Sequence, residues 1–309
     1  MPYTYPPSGP TISGDIVTTQ AFLKDPASVQ ERVRDLANHA FVSDILFPTP
    51  VEATGGAVSY QLNTPLVTDR DPSAVAPGGE YEMALAQGGV PQLARVTKYG
   101  QDVPLTDEAI GRLKINAADR ALRQSVNRTI TFIDTLALSV ASAAITRTYT
   151  ASNAWNTSAA DPLLDVLLAA AAVTNADADS GYDPDLLIIT ATLYARLAAN
   201  KDVVTAMQAD NTNSVIVSGQ IQQIGGKRVA PVPDARMPAG VSAILVDTMA
   251  FGAYAYENIP SPEYQGAPMG IQTWTRRDPK ATDSWLIRTR RPYVPLVENS
   301  DAAIKIAGV

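Results

Sequence analysis

The 309-residue chain contains no cysteine and a single histidine, His39. Without thiols there is no disulfide framework, no thiolate nucleophile and no zinc–thiolate site. A lone imidazole with no nucleophile or orienting carboxylate placed beside it is a packing or surface residue rather than a general base. Basic side chains are also in deficit. Lys and Arg number 24 against 31 Asp and Glu, a formal charge of -7, which argues against a protein whose main task is gripping nucleic acid. Long aliphatic runs are missing too. The longest, 163–173, is broken by Asp165 and is too short to cross a bilayer. The opening MPYTYPPSGPTISGD has neither the basic nor the apolar region of a secretory signal. No G-x-S-x-G elbow occurs, since Ser242 in GVSA lacks the second glycine. Gly225-Gly226-Lys227 falls short of a phosphate loop: Ile221 stands where the first glycine belongs and Arg228 where Ser or Thr would hold magnesium. It is expected to be a tight turn before a strand. Asn175, Asp177, Asp179 and Asp183 resemble the start of a calcium loop, but Ser180 and Leu186 occupy its glycine and glutamate positions. These residues are therefore expected to form a solvated acidic turn. No cofactor, metal or catalytic residue is expected.

What is present is organised around the stretch from Thr106 to about Thr146, free of proline and with one early glycine, Gly111. Its apolar residues recur in steps of three and four: Ile110, Leu113, Ala117, Leu122, Val126, Ile130, Ile133, Ala137, Val140 and Ala144. One continuous stripe on a helix of ~40 residues, roughly 60 Å long, follows. Thr106 is the expected N-cap, Asp107 and Glu108 suit the positive end of the helix dipole, and Asp134 is placed on the polar face. No strict heptad is sustained, so the helix is a spine for other elements rather than a coiled coil.

Residues 1 to about 24 are rich in Pro, Gly, Ser and Thr and are expected to form an extended arm without a core element. Asp25 and Pro26 then start a short amphipathic helix. From 51 to 103 the pattern turns to strand. AVSYQL (57–62) and VPQLARVTKYGQDV (90–103) read as two arms of a long hairpin with an irregular tip, poor in large apolar residues and in need of a partner surface. Beyond the spine, Asp161 and Pro162 start a helix. PDLLIIT, a helix from ATLYARL to Gln208, a loop over 209–220, and the strands QIGGKRVAPV and GVSAILVD complete an α/β module from about 155 to 250. FGAYAYE, MGIQTWTRR, SWLIRTRRPYV and AAIKIAGV are further strands. Trp155, Trp274 and Trp285 are expected to be packing anchors.

This order of parts, with KYGQDVPLTDEAI entering a very long helix and PDLLIITATLYARL followed by GGKRVAPVPDARMPAGVSAILVDTMAFGAYAYE, resembles the major capsid proteins of tailed bacteriophages. The resemblance covers nearly the whole chain from about residue 25. It implies an α+β, Hong Kong 97-type shell fold: an N-terminal arm (1–50), an E-loop hairpin (51–103), a peripheral domain (104–154 and 251–301) with the spine helix, and an axial domain (155–250 and 302–309). It further implies self-assembly into hexamers and pentamers of an icosahedral shell. That shell would enclose double-stranded DNA without sequence-specific binding, in a virion assembled in the bacterial host cytoplasm. Partners implied are a separate scaffolding protein, a portal and a decoration protein, with no membrane. Two other readings stand beside it: an encapsulin-type nanocompartment shell, which resembles the same fold, and a soluble α/β enzyme, for which the motifs are missing.

Charge suggests where copies would meet. Residues 51–97 carry five carboxylates, among them Asp69, Asp71, Glu80 and Glu82, against Arg70 and Arg95. Residues 271–292 carry Arg276, Arg277, Lys280, Arg288, Arg290 and Arg291 against two aspartates. The expectation is that one copy's hairpin lies on its neighbour's β-rich region, with opposite fields setting register. A strand-borne charge pattern and a nucleic-acid site are the alternative readings of the basic cluster. Some relatives weld neighbours through an E-loop lysine, but 51–97 contains none, and Lys98 lies at the hairpin's base. Assembled shells boiled in detergent should therefore run on a denaturing gel as single chains; a ladder of covalent multimers would contradict this.

Overall fold

The computed structural model describes residues 16–37, 41–65, 67–113, 115–157, 159–176, 181–200, 203, 221–279 and 283–309. Its long helix is described as α4 (Asp107–Leu113) and α5 (Ile115–Ala144). Thr106 caps the start, its Oγ1 accepting the Ala109 N–H at 3.3 Å. The 30 residues of α5 span about 45 Å, and Ala118, Leu122, Val126, Ile130, Ile133 and Ala137 on the expected stripe are buried. Leu113, also expected on it, is exposed.

Four polar residues interrupt the buried face: Ser125, Thr129, Asp134 and Ser142. Asp134 corrects its assignment to the polar face, being fully buried. One carboxylate oxygen accepts the Ser43 N–H at 3.0 Å and the other the Arg236 Nη1 at 2.8 Å. Desolvation raises its proton affinity, against the pull of Ser43 and Arg236. Helical periodicity cannot foresee this, because the partners lie 91 and 102 residues away.

The N-terminal region also differs from expectation. Residues Ile16–Lys24 form a helix, α1, ahead of α2 (Pro26–Ala37) and the single turn α3 (Ser43–Leu46). Leu23 is fully buried, and its carbonyl accepts the Thr275 hydroxyl at 2.8 Å. A nine-residue helix is marginal alone, so docking rather than local pattern holds it. Asp25 begins α2 as expected, accepting the Ala27 N–H and the Ser28 hydroxyl.

The hairpin pairs β2 (Ala57–Leu62) with β3 (Val90–Arg95). The second arm was expected to continue to 103, but β4 (Thr97–Thr106) leaves the hairpin. It runs antiparallel to β12 (Ser284–Val297), from Thr97 opposite Tyr293 to Thr106 opposite Ser284. Six residues of β2 offer no partner beyond Arg95, whereas β4 finds one in β12 and sets Tyr99 against Phe132 of α5, ring centroids 4.9 Å apart. The far end of β2 is fastened down. Asn63 adopts φ +50°, donates to the Glu298 carbonyl at 2.6 Å and accepts the Ser300 N–H at 3.1 Å.

Two larger sheets complete the chain. In the five-stranded sheet β12 pairs antiparallel with β4, with β11 (Gln272–Arg277) and with β10 (Gly252–Tyr256), while β1 (Thr49–Glu52) lies parallel to β10. Pro292 and Pro295 flank the point where β12 exchanges β4 for β10. The second sheet has the order β5-β13-β9-β6-β8-β7, with β5 Thr148–Thr150, β6 Leu186–Thr190, β7 Gln223–Ile224, β8 Lys227–Val232, β9 Ala243–Val246 and β13 Ala303–Ala307. The aliphatic runs of β6 and β9 are buried throughout, as strands covered on both faces are. Gly225 and Gly226, both at positive φ, turn β7 into β8, which is the tight turn expected there.

Helix α6 (Pro162–Thr174) packs near β13 and β9; Asp161 caps it, accepting the Leu164 N–H at 3.0 Å. Helix α7 (Ala191–Ala199) and the short α8 (Thr248–Phe251) follow β6 and β9. The expected helical continuation to Gln208 and the loop over 209–220 lie outside the described residues, save Val203.

The Asp134–Arg236 pair joins α5 to the turn that follows β8. Arg236→Ala would strand a buried carboxylate at a cost of about 3 kcal/mol. A carboxyl whose folded pKa is raised holds its proton more tightly folded than unfolded. Stability therefore falls as pH rises from the ordinary value, 3.8, through the raised one. Chemical denaturation of the variant's subunits should show a deficit that is largest at neutral pH and shrinks toward pH 4. An equal deficit at both values would contradict this account.

Candidate intersubunit surfaces

Beyond Asn63 the hairpin tip has no core. Tyr81, Met83 and Leu85 are 85%, 89% and 68% exposed, at alternate positions of a segment without regular secondary structure. Asp69 draws the two sides of the tip together: its carboxylate accepts the Leu85 N–H at 2.7 Å and its own N–H reaches the Leu85 carbonyl at 3.3 Å. Arg70 lies 3.8 Å from that carboxylate. Asp71, Glu80 and Glu82 are exposed.

The basic cluster is built differently from the expectation. Arg288 stands opposite Asp102 across the β12–β4 pairing and grips it with two bonds, 2.5 and 2.6 Å. That hydrogen bonding holds the Asp102 carboxyl below the usual carboxylate range. Arg277 holds both oxygens of Asp107, one at 2.7 Å, and lowers its pKa in the same way. Arg290 is buried: its Nε donates to Gln272 Oε1 at 2.8 Å, its Nη2 to the Ile259 carbonyl at 3.1 Å, and its guanidinium lies 3.5 Å from the centre of the Tyr264 ring. Arg291 is buried more deeply, bonded to Asp44 at 2.7 Å and packed against the rings of Phe41, Tyr254 and Tyr293.

Arg276 makes no ion pair among the described residues; it stacks over Trp274 at 4.7 Å, with Arg288 at 5.3 Å from the same ring. Lys280 lies outside the described residues. Arg290 and Arg291 are thus inside the subunit and not offered to a neighbour's hairpin, and Arg277 and Arg288 already hold carboxylates of their own chain. The partners Asp102 and Asp107 sit some 170 to 186 residues upstream, so composition along 271–292 cannot reveal them.

Beside this sheet runs an open groove of about 800 Å³ between α2 and residues 265–271. Val33, Phe41, Ile45 and Ile271 line it, with Arg34 among the polar lining residues. Gln30 spans it, donating to the Ile271 carbonyl at 3.0 Å and accepting the Thr273 hydroxyl at 2.6 Å. Trp155 is a packing anchor as expected, its Nε1 donating to buried Asp165 at 3.0 Å. Asp183 accepts Lys227 Nζ at 2.7 Å. His39, Asp177, Asp179 and Ser180 lie outside the described residues. Among the described residues no group of three or more His, Cys, Asp or Glu side chains is placed to hold a metal ion. No helix there is long and apolar enough to cross a membrane.

A family model described as phage capsid protein matches residues 89–306, from the hairpin to the last strand. No curated protein sequence matches the chain. Many solved structures share its fold, among them the following three. A phage-related protein from Bordetella bronchiseptica is 12% identical, with 92% of this chain and 96% of that one covered, at a TM-score of 0.59. The capsid of cyanophage P-SCSP1u is 12% identical, with 85% and 86% covered, at 0.58. A virus-like particle from Pyrococcus furiosus is 11% identical, with 90% and 97% covered, at 0.57. At such identities the likeness is one of fold, and it agrees with the α+β shell fold read from the sequence.

The arginine pairings have a consequence for the subunit itself. Reversing Arg288 to Asp should lower the stability of the unassembled subunit by about 1 kcal/mol, modest because both side chains are a third exposed. Adding Asp102→Arg should recover most of it. Unchanged unfolding midpoints in the single variant would show that the pair does not hold β4 to β12.

Proposed function

Because the chain belongs to the phage capsid protein family and is a major capsid structural protein, we propose that it closes an icosahedral shell of hexamers and pentamers around the double-stranded DNA of a tailed phage. The observation that carries this is the hairpin tip: an apolar edge of Tyr81, Met83 and Leu85 on a segment with no core of its own. Such a segment is stable when a neighbouring copy covers it, so stability belongs to the assembly. Its seat is the groove between α2 and residues 265–271 of the next copy. Asp71, Glu80 and Glu82 set register there against Arg34, a role for charge narrower than the whole cluster.

The sheet pairing supports a domain division close to the one read from sequence. The N-terminal arm is 1–50. Since β4 lies in the five-stranded sheet, the E-loop ends near 96. Since β5 pairs with β13, the peripheral domain is 97–147 with 251–301 and the axial domain 148–250 with 302–309. Scaffolding, portal and decoration proteins are the partners this role calls for, and assembly takes place in the host cytoplasm before the subunit is part of the virion. A nanocompartment shell is the second reading, favoured by the likeness to the virus-like particle; the family match favours the phage.

Electron microscopy of the purified protein, with and without Tyr81→Ser, Met83→Ser and Leu85→Ser combined, tests the reading. These side chains are solvent-exposed in the subunit, so the triple variant should keep the wild-type unfolding midpoint yet form few closed particles. Wild-type protein that remains monomeric would overturn the shell, and full particle yield by the variant would overturn the hairpin's role in it.

A further inference from the structure

Helix α6 is apolar on every side. Its inward face buries Val166, Ala169, Ala170 and Val173. Asp165, its one charged residue, is turned inward as well, where Trp155 Nε1 and the Tyr149 hydroxyl donate to it at 3.0 and 3.2 Å. The outward face carries Leu163, Leu164, Leu167 and Leu168, 42% to 50% exposed, at positions i, i+1, i+4 and i+5. Leu163 and Leu167 flank the glycine turn: a Cβ at Gly225 would lie 3.4 Å from one and 3.0 Å from the other. A helix hydrophobic all round belongs in an interior, yet among the described residues of one copy this one is covered on one side.

We propose that the outward leucine face of α6 is a second contact between copies of this chain, separate from the hairpin tip; it rests on the shell reading above. The chemistry of the face selects the occupant. It carries no charge, and Lys227 on the adjacent β8 is engaged by Asp183, so it offers nothing to the phosphates of packaged DNA. The four leucines expose roughly 300 Å² of hydrocarbon, the scale of a functional patch, whereas a stable two-protein interface needs about 800 Å² on each side. The face is therefore too small to hold two subunits together alone. It suffices as one contact among several in a ring, where the hairpin supplies another and every copy has a neighbour. In a ring the contact is head-to-tail, so the leucines meet a different surface of the next copy.

The test uses the full chain. A photo-crosslinking amino acid replaces Leu168 in particles assembled from equal parts of unlabelled and nitrogen-15-labelled protein, and cross-linked peptides are read by mass spectrometry. In parallel, Leu164→Glu with Leu168→Glu is compared with wild type for unfolding midpoint and for particle yield by sedimentation. The expected results are mixed-isotope cross-links between two copies and a folded double variant whose particle yield falls about tenfold or more. Cross-links confined to one copy, including links to its own residues 204–220, or links to DNA would overturn the proposal. So would wild-type particle yield by the folded double variant, and that result leaves the shell reading standing. If wild-type protein forms no particles, both fall together. A double variant that does not fold leaves the decision to the cross-links, which use an otherwise native chain.

Discussion

Fourteen residues of β12 hold the five-stranded sheet together. The strand pairs along most of its length with β4, over its first half with β11 and at its end with β10, while Thr289 meets Ser125 of α5 hydroxyl to hydroxyl at 2.8 Å. Its arginines are what allow so polar a strand to sit centrally. Arg288 meets a carboxylate in register, Arg290 is capped by Gln272, a carbonyl and the Tyr264 ring, and Arg291 is enclosed by Phe41, Tyr254, Tyr293 and Asp44. Desolvating a guanidinium is costly unless a partner charge and aromatic faces replace its water. Asp44 and three rings do this for Arg291, whose Nε and Nη1 have no hydrogen-bond partner among the described residues, while Arg290 relies on neutral acceptors and the Tyr264 ring; the segment around Phe41 and Asp44 is bound to the sheet as a result.

That constraint decides what the outside of the molecule is made of. Because Arg277, Arg288, Arg290 and Arg291 are consumed in holding α4, β4, β11 and residues 41–44, little of the basic cluster is a free positive field. Exposed apolar patches among the described residues include the side of the hairpin tip and the leucines of α6. In the proposed shell such a subunit is ionic inside, and hydrocarbon makes its contacts. Its net negative charge leaves it without a general attraction for nucleic acid.

Where elements follow from local chemistry, the sequence is a sufficient guide. The α5 stripe, the Thr106 and Asp161 caps, β2, the aliphatic β6 and β9 and the double-glycine turn all depend on residues a few positions apart. Three features do not. Helix α1 exists because Leu23 has a core to enter. Asp134 sits in the polar sequence pattern but is buried because Ser43 and Arg236 reach it from distant segments. The arginines of β12 look like a surface cluster because Asp102, Asp107 and the covering rings are far away in the chain. In each, the deciding partner is non-local, and side-chain periodicity carries no information about it. The exposed apolar residues at 81, 83 and 85 were present in the sequence, but alternation within an irregular loop gave no reason to separate them from ordinary loop residues.

The account's central claim is that copies associate through hydrocarbon while charge is spent inside the subunit. The dependence of assembly on salt tests it most directly. Particle formation can be followed by light scattering as sodium chloride rises from about 0.1 M to about 1 M, over which the screening length falls from roughly 10 Å to 3 Å. Contacts made by Tyr81, Met83, Leu85 and the α6 leucines predict an assembled fraction that holds steady or increases. An assembled fraction that collapses across that range would show that opposite charges between subunits hold the shell, and would contradict the account.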